Sequence, residues 1–553
     1  MLTFETRKVG WIKSLLIILA GVVAGRSWGS DSPAASTDPL LNLFIEKGYV
    51  TQEEAAKVKA EAEQLSTNEA ANVSMPASNW KVNAGVKNLE LFGEAKLRYE
   101  DRSANDPGGN VIDQQRMRYA LKFGLKGNLF DDFNFGFRLE TAANPRSPWV
   151  TLGTSSSVSG PYQGPFGKSA GGINVGQIYL GWHHYDWLSL EAGKLPNPLY
   201  TTPMLWDNDL NPEGAAEQLK YTIGEADFFA NFGQFLYADF NPVSANGGLG
   251  INTTYGQDGQ NIFMFAWQGG VNYHVSEDVS AKIAATLYNY TGLQRSTLAN
   301  VNQNTLSPYF GDPYVGEGAY YYAGGSAGGV APGYAGYGTS SGLAGFQSSG
   351  YPFNQVGLNN LMVVEIPFEI NFKLGKNLAA RFFGDFAYNL YGAQRAEQAA
   401  SAYASVLNGA ISAGQGQTIP HSFPAQTSDV KAYQVGFGIG STNFESGPMQ
   451  GVVYGTASSR HAWEFRTYWQ HIEQYSLDPN LIDSDFFEGR ENIQGIYAAF
   501  AYELTGNVSG VLRYGYAGRI NNQIGTGGSN QDTPWMNPID RYQVFQFDLS
   551  YKF

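Results

Sequence analysis

The sequence predicts an all-β protein, a transmembrane antiparallel β-barrel of about sixteen strands carried behind a short periplasmic helical hairpin. Three observations predict it. Apolar and polar side chains alternate with a period of two through most of 89–553. The links between alternating stretches are short and long in turn. Glycine and aromatics stand where charge usually would: Gly 67, Tyr 34 and Phe 34 accompany a charged fraction of 15%, against about 25% in ordinary globular chains. A mean hydropathy of -0.27 is too low for a helical membrane bundle. It suits strands that turn only every second side chain to lipid.

The N-terminus carries the three parts of a secretory signal. Arg7, Lys8 and Lys13 form the charged region, 15–23 the apolar region, and Ser27-Trp28-Gly29 a small-residue cleavage site. Cleavage is expected near Gly29, with Gly25 as the competing site. The apolar run is shorter than the ~20 residues that a spanning helix needs. Residues 30–66 follow as a periplasmic hairpin. Asp38 caps a helix with Pro39 in its first turn, Gly48 ends it, and Thr51-Gln52-Glu53-Glu54 opens a second. Its stripe of Leu40, Leu41, Phe44, Ile45 and Val58 packs either internally or against neighbouring subunits. Residues 67–86 are a polar linker, and 87–553 the barrel.

In the first strand Leu89, Leu91, Ala95, Leu97 and Tyr99 alternate with Glu90, Glu94, Lys96, Arg98 and Glu100. Met117, Tyr119, Leu121, Phe123 and Leu125 alternate with Arg116, Arg118, Lys122 and Lys126 in the second, and a short turn leads to Phe133, Phe135, Phe137 and Leu139. Similar stretches lie at 174–183, 187–194, 217–223, 227–236, 261–274, 279–290, 360–373, 378–390, 430–440, 462–473, 493–504, 508–519 and 540–553. The long links are 143–172, 237–260, 291–356 and 391–429, expected outside the cell, with the short turns on the periplasmic side. Aromatics at strand ends (Phe130, Trp182, Trp187, Trp463, Trp469, Tyr551) suit interface girdles, which a soluble sandwich has no need of. Phe545, Phe547, Leu549, Tyr551 and Phe553 form one outward ladder that also sets Asp548 and Lys552 inward. Its end, Leu549, Tyr551 and Phe553, looks like the C-terminal signal read by the barrel-assembly machinery.

Several stretches resemble the putative porin family of bacterial outer membranes, distantly similar to the phosphate-selective porins. They are 40–58 (LLNLFIEKGYVTQEEAAKV), 89–101 (LELFGEAKLRYED), 129–140 (LFDDFNFGFRLE), 191–200 (EAGKLPNPLY), the acidic loop 207–216 (DNDLNPEGAA) and the terminal strand. The resemblance implies an outer-membrane channel for passive diffusion of ions and small hydrophilic solutes, and it admits a homotrimer.

Inward charges are then the pore-lining candidates. Pairing across the loop near 108 sets Arg98 beside Arg118, and pairing about residue 130 sets Lys122 beside Arg138. The result is a basic wall of Arg98, Arg116, Arg118, Lys122 and Arg138, with Glu140 on the same strand as Arg138. Pairing about residue 375 sets Glu365 near Asp385 and Glu369 near Arg381, a mainly acidic patch on another arc. Opposed charge rows impose a transverse field on passing solutes; the bland reading is that they solvate the lumen or pair across strands. The 291–356 loop, rich in Gly and Tyr, either enters the lumen or stays outside, and 396–414 could form a short helix in another long loop.

Cys 0 removes disulfides and thiolate metal sites, and no cofactor or metal is expected. The formal charge is -14. Residues 1–29 carry four cations against Glu5, so their removal would leave about -17, which argues against nucleic acid, whose phosphates need a basic footprint. His183, His184, His274, His421, His461 and His471 show no nucleophile or metal-ligand spacing, which disfavours a barrel enzyme. A structural or adhesive surface protein anchored in outer-membrane lipid remains the alternative.

Overall fold

The computed structural model describes residues 86–106, 109, 111–130, 132–142, 147–153, 172–238, 262–291, 361–375, 377–397, 400, 425–441, 460–523, 525–526 and 539–553. The expected signal peptide, helical hairpin and linker, the 291–356 loop beyond Thr291, and most of 396–414 lie outside the described residues.

Every alternating stretch forms a strand, and sixteen of them make one closed antiparallel sheet. In chain order they are β1 (Val86–Asn105), β2 (Val111–Leu129), β3 (Phe133–Ala142), β4 (Gly172–Tyr185), β5 (Leu188–Lys194), β6 (Glu213–Ile223), β7 (Ala226–Ala238) and β8 (Ile262–Ser276). There follow β9 (Val279–Thr291), β10 (Met362–Glu365 and Phe368–Gly375), β11 (Leu378–Asn389), β12 (Lys431–Gly440), β13 (Trp463–Ile472), β14 (Ile493–Glu503), β15 (Val508–Arg519) and β16 (Arg541–Lys552). Ile366-Pro367 splits β10, but both halves pair with β9 and β11. A further short strand, Val150–Thr151, pairs with β2.

Pairing of β1 with β16, from Glu94 opposite Lys552 to Asn105 opposite Arg541, closes the ring. The terminal residue seals it: Gly93 N donates to the Phe553 carbonyl (2.9 Å) and Phe553 N to the Gly93 carbonyl (3.1 Å). Closure pairs the first strand with the last and so removes the free edges that hydrocarbon would penalise by several kcal/mol per exposed backbone group.

The side chains are arranged inside out relative to a soluble protein. Leu91, Leu97, Phe123, Val435, Phe437, Leu512 and Leu549 are exposed, whereas Arg98, Glu100 and Asp548 on the same or facing strands are buried. A sandwich would bury the first set, so the exposed band is the lipid face. Phe130, Tyr185, Trp187, Tyr221, Tyr551 and Phe553 are exposed around the end that carries the short turns. The link from Gly440 to Trp463 breaks the short-turn pattern at that end.

Two expected registers are corrected. Lys122 faces Glu140, and Arg138 faces Gly124, because the turn after Leu129 is centred one residue later than expected. On β10 and β11, Glu369 faces Phe383 and Asn371 faces Arg381. The hairpin turns beyond the expected centre, with Gly375 opposite Leu378, and a bulge between Lys373 and Gly375 sets the final register. Arg98 does face Arg118.

Candidate functional site

The lumen is occupied by two connections that the alternation pattern passes over, 195–212 between β5 and β6, and 473–492 between β13 and β14. Both enter from the end that carries the long links. The first leaves the wall where Gly193 and Gly214 face each other with φ of 128° and 150°. A Cβ on either would come within 2.2 Å of a neighbouring carbonyl oxygen, so only glycine lets the chain turn inward here.

Segment 195–212 reaches from β5 to the lumenal side chains of β8, β10 and β11. Tyr200 N donates to Gln268 Oε1 on β8 (2.8 Å), and Gln268 Nε2 returns a bond to the Tyr200 carbonyl (2.8 Å). The Thr201 hydroxyl donates to Glu365 Oε1 and that of Thr202 to Asp385 Oδ2, both at 2.5 Å. Tyr288 OH on β9 also donates to Glu365 (2.7 Å). Segment 473–492 spans the other way. Tyr237 and Tyr290, on β7 and β9, donate to Asp478 Oδ2 at 2.7 and 2.9 Å. At its other end Arg98 of β1 grips Asp485 with two bonds (2.7 and 3.0 Å), and Arg102 binds Glu488 (2.9 Å).

The two segments form one septum. Ser484 donates to the Asp207 carboxylate through its backbone N (3.1 Å) and its hydroxyl (3.0 Å), and Asp483 N donates to the Pro203 carbonyl (3.1 Å). The septum has its own hydrophobic core: Met204 and Trp206 from one segment, and Leu477, Ile482, Phe486 and Phe487 from the other, bury against Phe383, Tyr468 and Tyr497 of the wall. Phe486 lies 4.9 Å, ring centre to ring centre, from Tyr497. It occupies the space over Gly515, where a Cβ would sit 1.7 Å from its ring. Phe487, Glu488 and Gly489 hold left-handed φ of 60°, 56° and 61°, a strained run that Arg102 and Arg490 fix through Glu488.

This placement decides what each sequence candidate touches. Arg98 also binds Asp548 through Nε and Nη2 (2.7 and 2.9 Å), and its guanidinium lies 3.9 Å from the Trp149 ring centre. Arg116 and Arg118 point at Glu100, and Arg138 lies 3.2 Å from Glu140. Glu365 and Asp385 are buried beneath Thr201 and Thr202, with Glu369 and Arg381 3.5 Å apart beside them. The expected acidic patch is therefore the anchor of a lumenal segment. Arg98 and Arg118 are likewise buried counter-ions.

Among the described residues, two cavities lie beside the septum, along the wall that begins with β1. One, about 420 Å³, lies toward the long-link end between Glu140, Lys194, Trp206, Leu210, Phe235 and Asn480. The other, about 260 Å³, lies toward the short-turn end. Glu94, Lys96, Lys122 and Lys552 line it from the wall, and Asp207, Asp209, Asp483 and Asp485 from the septum. Pro148 and Asp209 border both. At that junction Lys122 Nζ bonds Asp209 Oδ1 (2.8 Å).

Three of the septum aspartates that line this cavity are shifted in different directions. Burial, reinforced by neighbouring Asp209, pushes the Asp207 carboxyl up to about 7. Asp483 is pushed well up by burial and by Asp207 and Asp485. Burial also opposes ionisation of Asp485, but the Arg98 guanidinium outweighs it and holds that carboxyl below the ordinary range. Of the residues expected at the pore, Lys122 and Glu140 border these cavities. Sequence reasoning assigned no pore role to the aspartates of the two segments. Their signal was present: LPNPLYTTPMLW and the Leu477, Leu481, Ile482, Phe486 and Phe487 set are too apolar for loops that face water.

Among solved structures, the outer membrane channel DcaP of Acinetobacter baumannii is similar at 11% identity and a TM-score of 0.35, over 86% of this chain and 100% of that one. No curated protein matches the chain. A family model described as putative porin matches residues 94–553, which takes in almost all of the closed, inside-out barrel. The chain belongs to the putative porin family and is a porin channel of the outer membrane.

Proposed function

We propose that ions and small hydrophilic solutes diffuse passively through the two cavities, from the long-link end outside the cell to the short-turn end in the periplasm. The observation that carries this path is the junction at Pro148 and Asp209, common to both cavities, with Lys122 bonded across it. Lysines on the wall and carboxylates on the septum set a transverse field there, so a solute is screened by its charge distribution as well as its size. Of the inward arginines of the sequence reading, Arg98 serves this path indirectly, holding the septum through Asp485, and Arg102 beside it holds Glu488. Leu549, Tyr551 and Phe553 face outward at the seam, which supports their role as the assembly signal.

Glu94 and the septum carboxylates outnumber the three wall ammonium groups even with Asp483 held protonated by burial, which favours cations once Asp207 ionises. Reversal potentials in a salt gradient across a planar bilayer test the path. Wild type should show stable open steps and a cation preference. Asp209→Asn should shift the reversal potential toward anions, and Lys122→Met the opposite way. Reversal potentials unchanged in both variants would remove the junction from the path.

A further inference from the structure

The larger cavity has features that a plain aqueous vestibule does not require. Its lining joins an apolar set, Trp206, Leu210, Phe235 and Leu481, to a charged one, Glu140, Lys194, Asp209 and Glu213. Trp206 is fixed in this pose, its Nε1 donating to the Leu210 carbonyl (3.1 Å) and its ring edge against Phe235 at 6.2 Å between centres. The rim offers both signs of charge. Asp209 lies on Lys122, Glu140 beside Arg138, and Lys194 on Glu213 at 2.6 Å. Its volume of about 420 Å³ falls in the range of small-molecule sites, roughly 300–1,000 Å³, which combine an apolar lining with a few placed polar groups.

We propose that this cavity is a binding station for zwitterionic solutes with an apolar body, namely free α-amino acids with aromatic or branched aliphatic side chains. The inference rests on the permeation path above and names its solute class. The body packs on Trp206, Leu210 and Phe235. The ammonium group is received by the carboxylates of Asp209 and Glu140, which keep lone pairs beyond those used by Lys122 and Arg138. The solute carboxylate is received by Lys194. Neither a simple ion nor a sugar uses both halves of such a site. A hydrophobic cation or anion uses only one charge of the rim.

Ligand-observed NMR on the full chain folded in detergent tests this without requiring current to flow. Phenylalanine should bind about tenfold more tightly than glycine, the gain expected from burying a phenyl group. It should also bind more tightly than phenethylamine or 3-phenylpropanoate, each of which lacks one charge. Leu210→Ser, which leaves the carbonyl that holds Trp206, should bring phenylalanine close to glycine. Lys194→Gln should weaken phenylalanine and leave phenethylamine unchanged. Equal affinity for phenylalanine and glycine, or for phenylalanine and phenethylamine, overturns the proposal. A protein that binds phenylalanine as expected but passes no current in a bilayer sustains the station and sinks the permeation path.

Discussion

Truncating Phe486 to Ala should release the septum while leaving the barrel intact. The ring is 4% exposed, and it contacts Phe487 at 3.8 Å, Tyr497 at 4.9 Å and Tyr468 at 6.4 Å between ring centres. Loss of burial contributes about 2–3 kcal/mol, the lost aromatic pairs about 0.5–1.5 kcal/mol each, and the cavity left over Gly515 adds to both. Phe→Ala changes in packed cores cost about 3–5 kcal/mol, which multiplies the undocked population by two to three powers of ten. The strand ladder makes no use of this ring, so the thermal unfolding of the barrel should hardly move. Protease cleavage within 473–492 should accelerate by orders of magnitude, and single-channel conductance should rise as the lumen empties. Gly515→Val, which places atoms where the Phe486 ring now sits, should reproduce both effects from the opposite side of the contact. Unchanged cleavage and unchanged conductance in both variants would refute the view that the septum is a separately packed unit.

Three further outcomes follow from the same contacts. Thr201→Val combined with Thr202→Val removes donors to the buried Glu365 and Asp385 carboxylates. At about 1–3 kcal/mol for each unsatisfied group, it should expose 195–212 to protease; unaltered cleavage there would count against the anchor. Asp207, whose carboxyl is raised to about 7, binds its proton more tightly in the docked septum than in the free chain. That contribution to docking is fully present below about pH 4 and is lost as pH rises through about 7. Cleavage within the septum and cation selectivity should both increase over that interval, and Asp207→Asn should reduce the rise in both; a wild type flat between pH 5 and 8 would contradict the assignment. Deletion of Phe553 removes the paired backbone bonds to Gly93 and should lower the yield of heat-modifiable folded barrel on a gel, whereas equal yield would show that the seam closes without it.

The barrel was legible because lipid enforces a strict rule: on β12 or β16 every second side chain must be apolar, and a period of two survives in the sequence as a direct record of that demand. Register was legible only to within two residues. The three-residue turn after Leu129 and the bulge at Lys373 and Gly375 shift the partners of Lys122 and Glu369, and neither leaves a mark in the alternation. The site was less legible still. Arg98 faces the lumen as its phase requires, but whether an inward arginine meets water or a carboxylate depends on what fills the lumen, and Asp485 comes from a segment 387 residues away. Two signals could have located the septum. Gly193 and Gly214 flank 195–212 as a matched pair, and the Phe486-Phe487 doublet sits in a link that exposure to water would have kept polar.

The absence of cysteine throughout the chain permits the most direct test of where solutes pass. Single cysteines at Asp209 and at Glu365, each introduced alone, can be probed with a charged methanethiosulfonate reagent while current is recorded in a planar bilayer. Asp209 borders both cavities, and Glu365 is sealed under Thr201. Modification of the Asp209→Cys protein should therefore cut the current within seconds, and the Glu365→Cys protein should be unaffected. Block at residue 365 with none at residue 209 would place the pathway on the other side of the septum and contradict the account.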